Sequence, residues 1–270
     1  MMTDKMLWIT GTTKVFGVIA HPTDHVRAPM VFNRIFSERS LDNVMIPISV
    51  SPADFTEMIR ALQSQSNFGG LTATIPHKMA MAALCDTLGP AARVSGAVNA
   101  VRFNPDGTID GDNFDGEGFV AGMTSQGHEI AGKTVLLLGA GGAARAIATA
   151  LCAHGVAELH ILNRTHANAE ALVAALEDKG GFEQARAVTS HDGSNVDVVI
   201  NATSMGLHEG DDLPLPLDGV AANTVIAEII MKPEQTVWLA EAERRGLATQ
   251  YGRHMLDCQV ELIGKFIGAL

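Results

Sequence analysis

Cysteine, aromatic residues and positive charge are all scarce in this sequence. The three cysteines, Cys85, Cys152 and Cys258, stand far apart and form no CxxC pair. That excludes a disulfide-stapled secreted scaffold and a cysteine-rich zinc module, and it fits a reducing, cytoplasmic setting. Aromatics make up 5% of the chain, with one tyrosine and two tryptophans. An aromatic-rich β-sandwich is a poor match; abundant Ala, Gly, Val, Leu and Ile suit helices packed on parallel sheets. Nineteen basic residues against thirty acidic ones leave a net charge of −11, which excludes broad binding to nucleic acid. A phosphorylated cofactor stays allowed, because one or two arginines and a helix N-terminus suffice to hold it. No uncharged apolar run reaches the roughly 18 residues of a membrane span. The nearest approach, 135–153, is broken by glycines and by Arg145. Residues 1–12 lack the apolar centre of a signal peptide. The expected partner is a small-molecule substrate, without nucleic acid or membrane, and the expected state is a monomer or homodimer.

What is present is an alternation of strand and helix patterns over 270 residues, enough for two modest domains. Strands are predicted at 15–20, 44–50 and 70–75, with helices at 29–39 and 52–63, the second opening with Pro52 near its first turn. Strands at 98–103 and 108–112 flank Asn104-Pro105-Asp106-Gly107, a strong hairpin signal. A connecting helix is predicted over 114–125. The polar, glycine-containing stretch 127–133 then marks a boundary. Beyond it the pattern restarts, with strands at 134–138, 158–162, 196–201 and 224–229 and helices at 143–154, 167–178 and 234–245. The final helix, 254–267, is expected to return to the first domain. The fold class is therefore α/β: an N-terminal α/β substrate domain (1–125, with 254–270 packing back on it) and a C-terminal Rossmann-type doubly wound parallel sheet (126–253).

The segment Gly139-Ala140-Gly141-Gly142-Ala143 follows one predicted strand and opens a helix. Glycine suits that position because the turn is tight and backbone amides must approach a pyrophosphate without a Cβ between them. The helix N-terminus adds unpaired N–H groups and a favourable dipole. The next strand ends in Asn163-Arg164-Thr165, where an NAD-preferring site places an acid on the ribose hydroxyls. A guanidinium there grips a 2′-phosphate instead, which favours NADP while leaving NAD open. Asn201-Ala202-Thr203-Ser204-Met205-Gly206 closes a further strand. Its small polar residues, Thr203 and Ser204 with Met205 beside them, suit close approach to a nicotinamide.

Taken in order, several segments resemble the shikimate/quinate dehydrogenase family across nearly the whole chain. Thr74-Ile75-Pro76-His77-Lys78 resembles its catalytic-lysine motif, Gly96-Ala97-Val98-Asn99 its substrate-binding Asn motif, and Asn113-Phe114-Asp115-Gly116 the motif that carries its catalytic Asp. Segments 139–143, 163–165 and 201–206 resemble its cofactor motifs, and Gly252, Met255, Leu256 and Gln259 its C-terminal substrate segment. The resemblance implies reversible, NADP- or NAD-dependent oxidation of a ring hydroxyl to a ketone. Lys78, expected at a strand end, and Asp115 would form the proton relay; Thr74, Asn99 and Gln259 would hydrogen-bond substrate hydroxyls. Any alcohol oxidation of this kind needs a group that takes the hydroxyl proton as hydride leaves carbon. His77, beside Lys78, is read as a packing residue or as one that supports Lys78 from behind.

Departures fall on the substrate side. The family pattern has two serines whose hydroxyls bond the substrate carboxylate, where this chain has Val26 and Ala28. An unmet carboxylate loses roughly 1.5–3 kcal/mol per charged hydrogen bond. Arg27 is the candidate replacement clamp. Thr72 replaces an expected Asn, and Met231 an expected Tyr. His21 and His25 lie four apart but lack a third ligand or an HExxH pattern, so no metal site is expected. Three readings follow: a dehydrogenase for shikimate or a related cyclic hydroxy acid, a quinate- or aminoshikimate-type enzyme, and a non-catalytic module sensing NADP or a similar ligand.

Overall fold

The computed structural model describes residues 9–24, 26–208 and 210–270; residues 1–8, at the start of the segment read for a signal peptide, and His25, half of the histidine pair, lie outside them, as does Glu209. In chain order the elements are β1 (Lys14–Ala20), α1 (Ala28–Arg39), β2 (Asn43–Ser49), α2 (Phe55–Gln63), β3 (Phe68–Ala73), α3 (Lys78–Ala82), β4 (Thr87–Leu88), α4 (Pro90–Ser95), β5 (Ala100–Phe103), β6 (Ile109–Asp112) and α5 (Asp115–Ser125). They continue with β7 (Thr134–Leu138), α6 (Gly142–Ala153), β8 (Glu158–Leu162), α7 (His166–Gly180), β9 (Ala185–Val188), β10 (Val198–Asn201), β11 (Val225–Glu228), α8 (Val237–Arg244), β12 (Ala248–Gln250) and α9 (Gly252–Phe266). Two compact units result. The first holds residues up to Ala92, Gly96–Asn113 and Val260–Leu270; the second holds Arg93–Ser95 and Phe114–Gln259.

The first unit is built on a sheet of order β2-β1-β3-β5-β6-β4. β1 pairs in parallel with β2 and β3, whereas β5 runs antiparallel to both β3 and β6. The apolar run of β1 is buried from Phe16 to Ala20, as expected of a central strand covered on both faces. α1 lays Phe32 and Phe36 inward, and Phe36 meets Phe16 at 6.1 Å between ring centroids. Ile19, Phe55, Ile59, Leu71, Met81 and Val101 belong to a second cluster. The hairpin forms as expected: Asn104 N–H donates to Thr108 O at 2.9 Å and Gly107 takes φ +84°.

Two expectations are corrected here. α2 starts at Phe55, not Pro52; Ser51 Oγ donates to Asp54 Oδ2 at 2.8 Å, and residues 52–54 form a turn. Lys78 is not at a strand end: β3 stops at Ala73, and Lys78 is the first residue of α3. The chain must turn between them, since Thr74 N–H reaches back to Ile19 O at 3.1 Å and His77 N–H to Thr74 O at 2.8 Å. The short elements α3, β4, α4, β9 and β12 escape sequence reading because none spans enough residues to display a period.

The second unit carries an all-parallel sheet of order β12-β11-β10-β7-β8-β9. The strand order reverses at β7 and β10, the switch point where an open α/β sheet leaves a crevice for ligand at its carboxyl edge. One face of the sheet packs on α5, α6 and α7 through Phe119, Leu137, Ile147, Leu151 and Leu172. The other packs on α8 through Leu136, Val199, Ile226, Trp238 and Leu239. No helix among the described residues is long and apolar enough to cross a membrane.

Candidate active site

In the first unit, backbone hydrogen bonds gather three of the predicted substrate-side residues. Ala73 N–H donates to Asn99 O at 2.9 Å, Val98 N–H to Lys78 O at 2.9 Å, and Asn99 N–H to Asp112 O at 3.0 Å. Thr74, Lys78 and Asn99 are therefore tied together where β3 ends and β5 begins. Thr74 and Lys78 are half-buried, and Asn99 is buried. His77, fully buried at 1% exposure, is the post of this turn. Its ring stacks on Phe55 at 4.4 Å between centroids, and its Nε2–H donates to Val50 O at 3.0 Å. Burial is the main cause holding His77 below the usual histidine pKa, so it stands neutral and packs, as its sequence position suggested.

The 21–29 segment leaves β1 beside this turn, with His21 N–H bonded to Ile75 O at 3.2 Å. Val26 and Ala28 are half-buried and carry no polar side-chain atom. Arg27 is the N-cap residue of α1 and exposed; its backbone O accepts from Val31 N–H at 3.2 Å, and its side chain makes no hydrogen bond or ion pair among the described residues. Thr72 is buried, and its Oγ1 has no hydrogen-bond partner among the described residues.

In the second unit, the predicted cofactor segments all lie at the carboxyl ends of neighbouring strands. Gly139 follows β7 with φ +112°, a conformation few side chains tolerate. A Cβ there would sit 2.9 Å from Ala202 O, so the glycine loop and the 201–206 loop touch. Ala140 is buried beneath the turn, Ala143 is half-buried, and Gly141 and Gly142 are exposed. A Cβ on either exposed glycine would meet nothing within 4 Å. Gly141 caps α6 without any side-chain hydrogen bond, which leaves the helix N–H groups facing outward. An open glycine face over an uncapped helix start fits the pyrophosphate of a dinucleotide.

After β8, Asn163 Nδ2 donates to Thr165 O at 2.8 Å and shapes the turn. Arg164 and Thr165 are exposed, and Arg164 makes no ion pair or hydrogen bond among the described residues. After β10, buried Asn201 organises its loop: Oδ1 accepts from Thr203 N–H at 3.0 Å and from Thr203 Oγ1 at 2.6 Å, while Nδ2 donates to Met205 O at 3.0 Å. Ser204 and Met205 remain exposed. Gly252 opens α9, where a Cβ would lie 2.4 Å from Ile230 O.

Asp115 is the first residue of α5 and 4% exposed, a favourable place for a carboxylate at a helix N-terminus. Gly118, three residues on and hence on the same helix face, meets α9 so closely that its Cβ would lie 2.5 Å from Gln259 Cβ. Among the described residues no group of three or more His, Cys, Asp or Glu could hold a metal. Two residues passed over in the sequence stand out in this unit, Glu228 and Thr236, both buried and hydrogen-bonded to each other. The readable signal was an acid closing the apolar run Val225-Ile226-Ala227-Glu228.

Comparison with known proteins follows the same division. Residues 18–101 match the shikimate dehydrogenase substrate binding domain, and residues 122–208 match shikimate / quinate 5-dehydrogenase. The chain is 37% identical over 251 residues to a shikimate dehydrogenase (NADP(+)) of Rubrobacter xylanophilus, covering 92% of this chain and 88% of that one. A shikimate 5-dehydrogenase of Listeria monocytogenes, solved with shikimate and NAD, superposes with a TM-score of 0.89 at 30% identity over 97% of this chain and 94% of that one. A 5-ketofructose reductase of Gluconobacter does so with a TM-score of 0.87 at 31% identity, covering 95% and 93%. On the reach of these similarities, the chain belongs to the shikimate/quinate dehydrogenase family and is an NADP-dependent oxidoreductase of the shikimate dehydrogenase type.

Proposed function

We propose that the enzyme reversibly oxidises a ring hydroxyl of shikimate or a related cyclic hydroxy acid to the ketone. Bound NADP would supply the hydride acceptor for the carbinol carbon. Lys78 takes the hydroxyl proton as the ketone forms and returns it in reduction. Asp115 is assigned as the carboxylate partner of Lys78 in this relay. Thr74, Asn99 and Gln259 hydrogen-bond substrate hydroxyls. The 139–143 turn would hold the pyrophosphate, Asn163, Arg164 and Thr165 the adenosine side, and Thr203, Ser204, Met205 and Gly252 the nicotinamide side. Thr74, Lys78 and Asn99 belong to the first unit, whereas Asp115, Gln259 and the cofactor segments belong to the second. We place the enzyme in the cytoplasm, as a monomer or homodimer, in keeping with its free cysteines.

The observation that carries this reading is the backbone clamp joining Ala73, next to Thr74, to Asn99 and Lys78 to Val98. It holds an amine and two hydrogen-bonding side chains on rigid backbone, which is what positioned proton transfer needs. The test is reduced-cofactor absorbance with shikimate and quinate against NADP and NAD. Lys78→Ala should lower kcat by roughly 10²- to 10⁴-fold without changing NADP affinity; an unchanged kcat refutes the relay.

One observation favours a second reading. Val26 and Ala28 offer no side-chain donor to a carboxylate, and the Gluconobacter neighbour is a reductase of a keto sugar. The reading is a polyhydroxy ketone without a carboxylate as substrate. Arg27→Ala separates the two: it should raise KM for the acid substrate and leave KM for a neutral keto sugar unchanged. Turnover of acids alone removes the second reading.

A further inference from the structure

Beside the 201–206 loop lies a carboxylic acid that the proposed chemistry leaves unused. Glu228, the last residue of β11, is 0% exposed and pairs in register with Asn201 of β10. Its Oε2 accepts a hydrogen bond from Thr236 Oγ1 at 3.0 Å, while its Oε1 is buried with no hydrogen-bond partner among the described residues. Thr236 is also the N-cap of α8, where its Oγ1 accepts from Leu239 N–H at 3.2 Å. Thr236 Cβ lies 3.7 Å from where a Cβ on Gly206 would stand, so it touches the far end of the loop. Asn201 supports the near end through Met205 O and Thr203, and its side chain also bears on the Glu228 carboxyl. One buried acid thus reaches both supports of the same loop.

We propose that Glu228 is a positioning residue for the cofactor: held neutral, its carboxyl fixes the 201–206 loop through Thr236 and Asn201, and its ionisation loosens that loop and weakens NADP binding. This rests on the assignment of the loop to the cofactor site. An acid buried without a cation is costly to ionise. Burial pushes Glu228 up to about 7, with the Thr236 and Asn201 hydrogen bonds drawing it partly back. No ionised group among the described residues contributes to that shift. β10 presents the amide of Asn201, and α8 the hydroxyl of Thr236. The charged residues of the connecting segment, Lys232 and Glu234, are exposed. A carboxylate formed here pulls harder on both donors and draws water toward the loop, at the expense of the bond from Asn201 to Met205.

The test is calorimetric titration with NADP of the native enzyme and of Glu228→Gln, at about pH 6 and at about pH 9. Because the cofactor phosphate titrates in part of this range, the quantity read is the ratio of native to variant Kd at each pH. The ratio should be near one at the lower pH and rise roughly five- to tenfold at the higher. In parallel, infrared difference spectra of the cofactor-free protein should show a neutral-carboxyl band that fades across neutrality and is missing from Glu228→Gln. A ratio that stays flat while both proteins bind NADP overturns the role of Glu228 alone. Failure of both proteins to bind NADP at either pH overturns the cofactor reading, and this inference with it. Should Glu228→Gln not fold, Thr236→Val cuts the link and leaves the acid. It should keep the infrared titration while its NADP affinity loses the extra pH dependence, and persistence of that dependence overturns the proposal.

Discussion

Replacing Glu228 by Gln should flatten the pH dependence of stability in the second unit. An unfolded glutamate titrates near 4.5, whereas burial moves folded Glu228 up to about 7. Between those values the folded chain keeps a proton that the unfolded chain has released, so stability falls as pH rises. The contribution is complete below the unfolded value and lost as pH climbs through the folded one. At about 1.4 kcal/mol per pKa unit, the swing is roughly 3 kcal/mol. It needs no discount for solvent screening, because the side chain is 0% exposed. The substituted glutamine carries no titratable proton, so whatever its amide costs in packing or hydrogen bonding is the same at every pH. Trp238, buried at 1% on neighbouring α8, gives the signal. Since Trp8 is the only other tryptophan, a Trp8→Phe background isolates it. Urea unfolding of the matched pair at about pH 5 and about pH 8 should show the native enzyme losing about 2–3 kcal/mol relative to the variant. A difference that stays constant within about 0.5 kcal/mol would mean the acid is already ionised in the folded state, and the reasoning fails.

Three further outcomes are expected. Gly139→Ala places a Cβ 2.9 Å from Ala202 O at φ +112°; about 1–3 kcal/mol of strain should appear as a lower Tm together with weaker NADP binding, and unchanged calorimetric affinity would count against the glycine-loop assignment. Arg164→Ala should weaken NADP by roughly tenfold, the worth of one charge-assisted hydrogen bond, while leaving NAD unaffected; equal losses for both cofactors would deny contact with the 2′-phosphate. Gly116→Ala drives a Cβ to 2.1 Å from Ala146 O. Because α5 and α6 must then separate, thermal unfolding should report a loss of about 1–3 kcal/mol, and native-like stability would show that the helix pair is free to slide apart.

Much of this architecture was legible before any coordinates. Long apolar strands with a glycine turn or a polar cap at their carboxyl ends, such as 134–138 before Gly139 and 158–162 before Asn163, announce themselves because pattern and loop chemistry are both local. The ordered motifs, and with them the family and its cofactor, are local in the same sense. Other features are not. That Lys78 heads a helix rather than ending a strand follows from the bonds to Ile19 and Thr74, which no periodicity reveals. That His77 is a neutral packing post depends on Phe55 and Val50, both more than twenty residues away in sequence. Glu228 reads as an ordinary acid at a strand end until Asn201 and Thr236 close over it. Residue types and their spacing decide which chemistry a chain can carry; only the folded arrangement decides which groups lose water, and so where a proton resides.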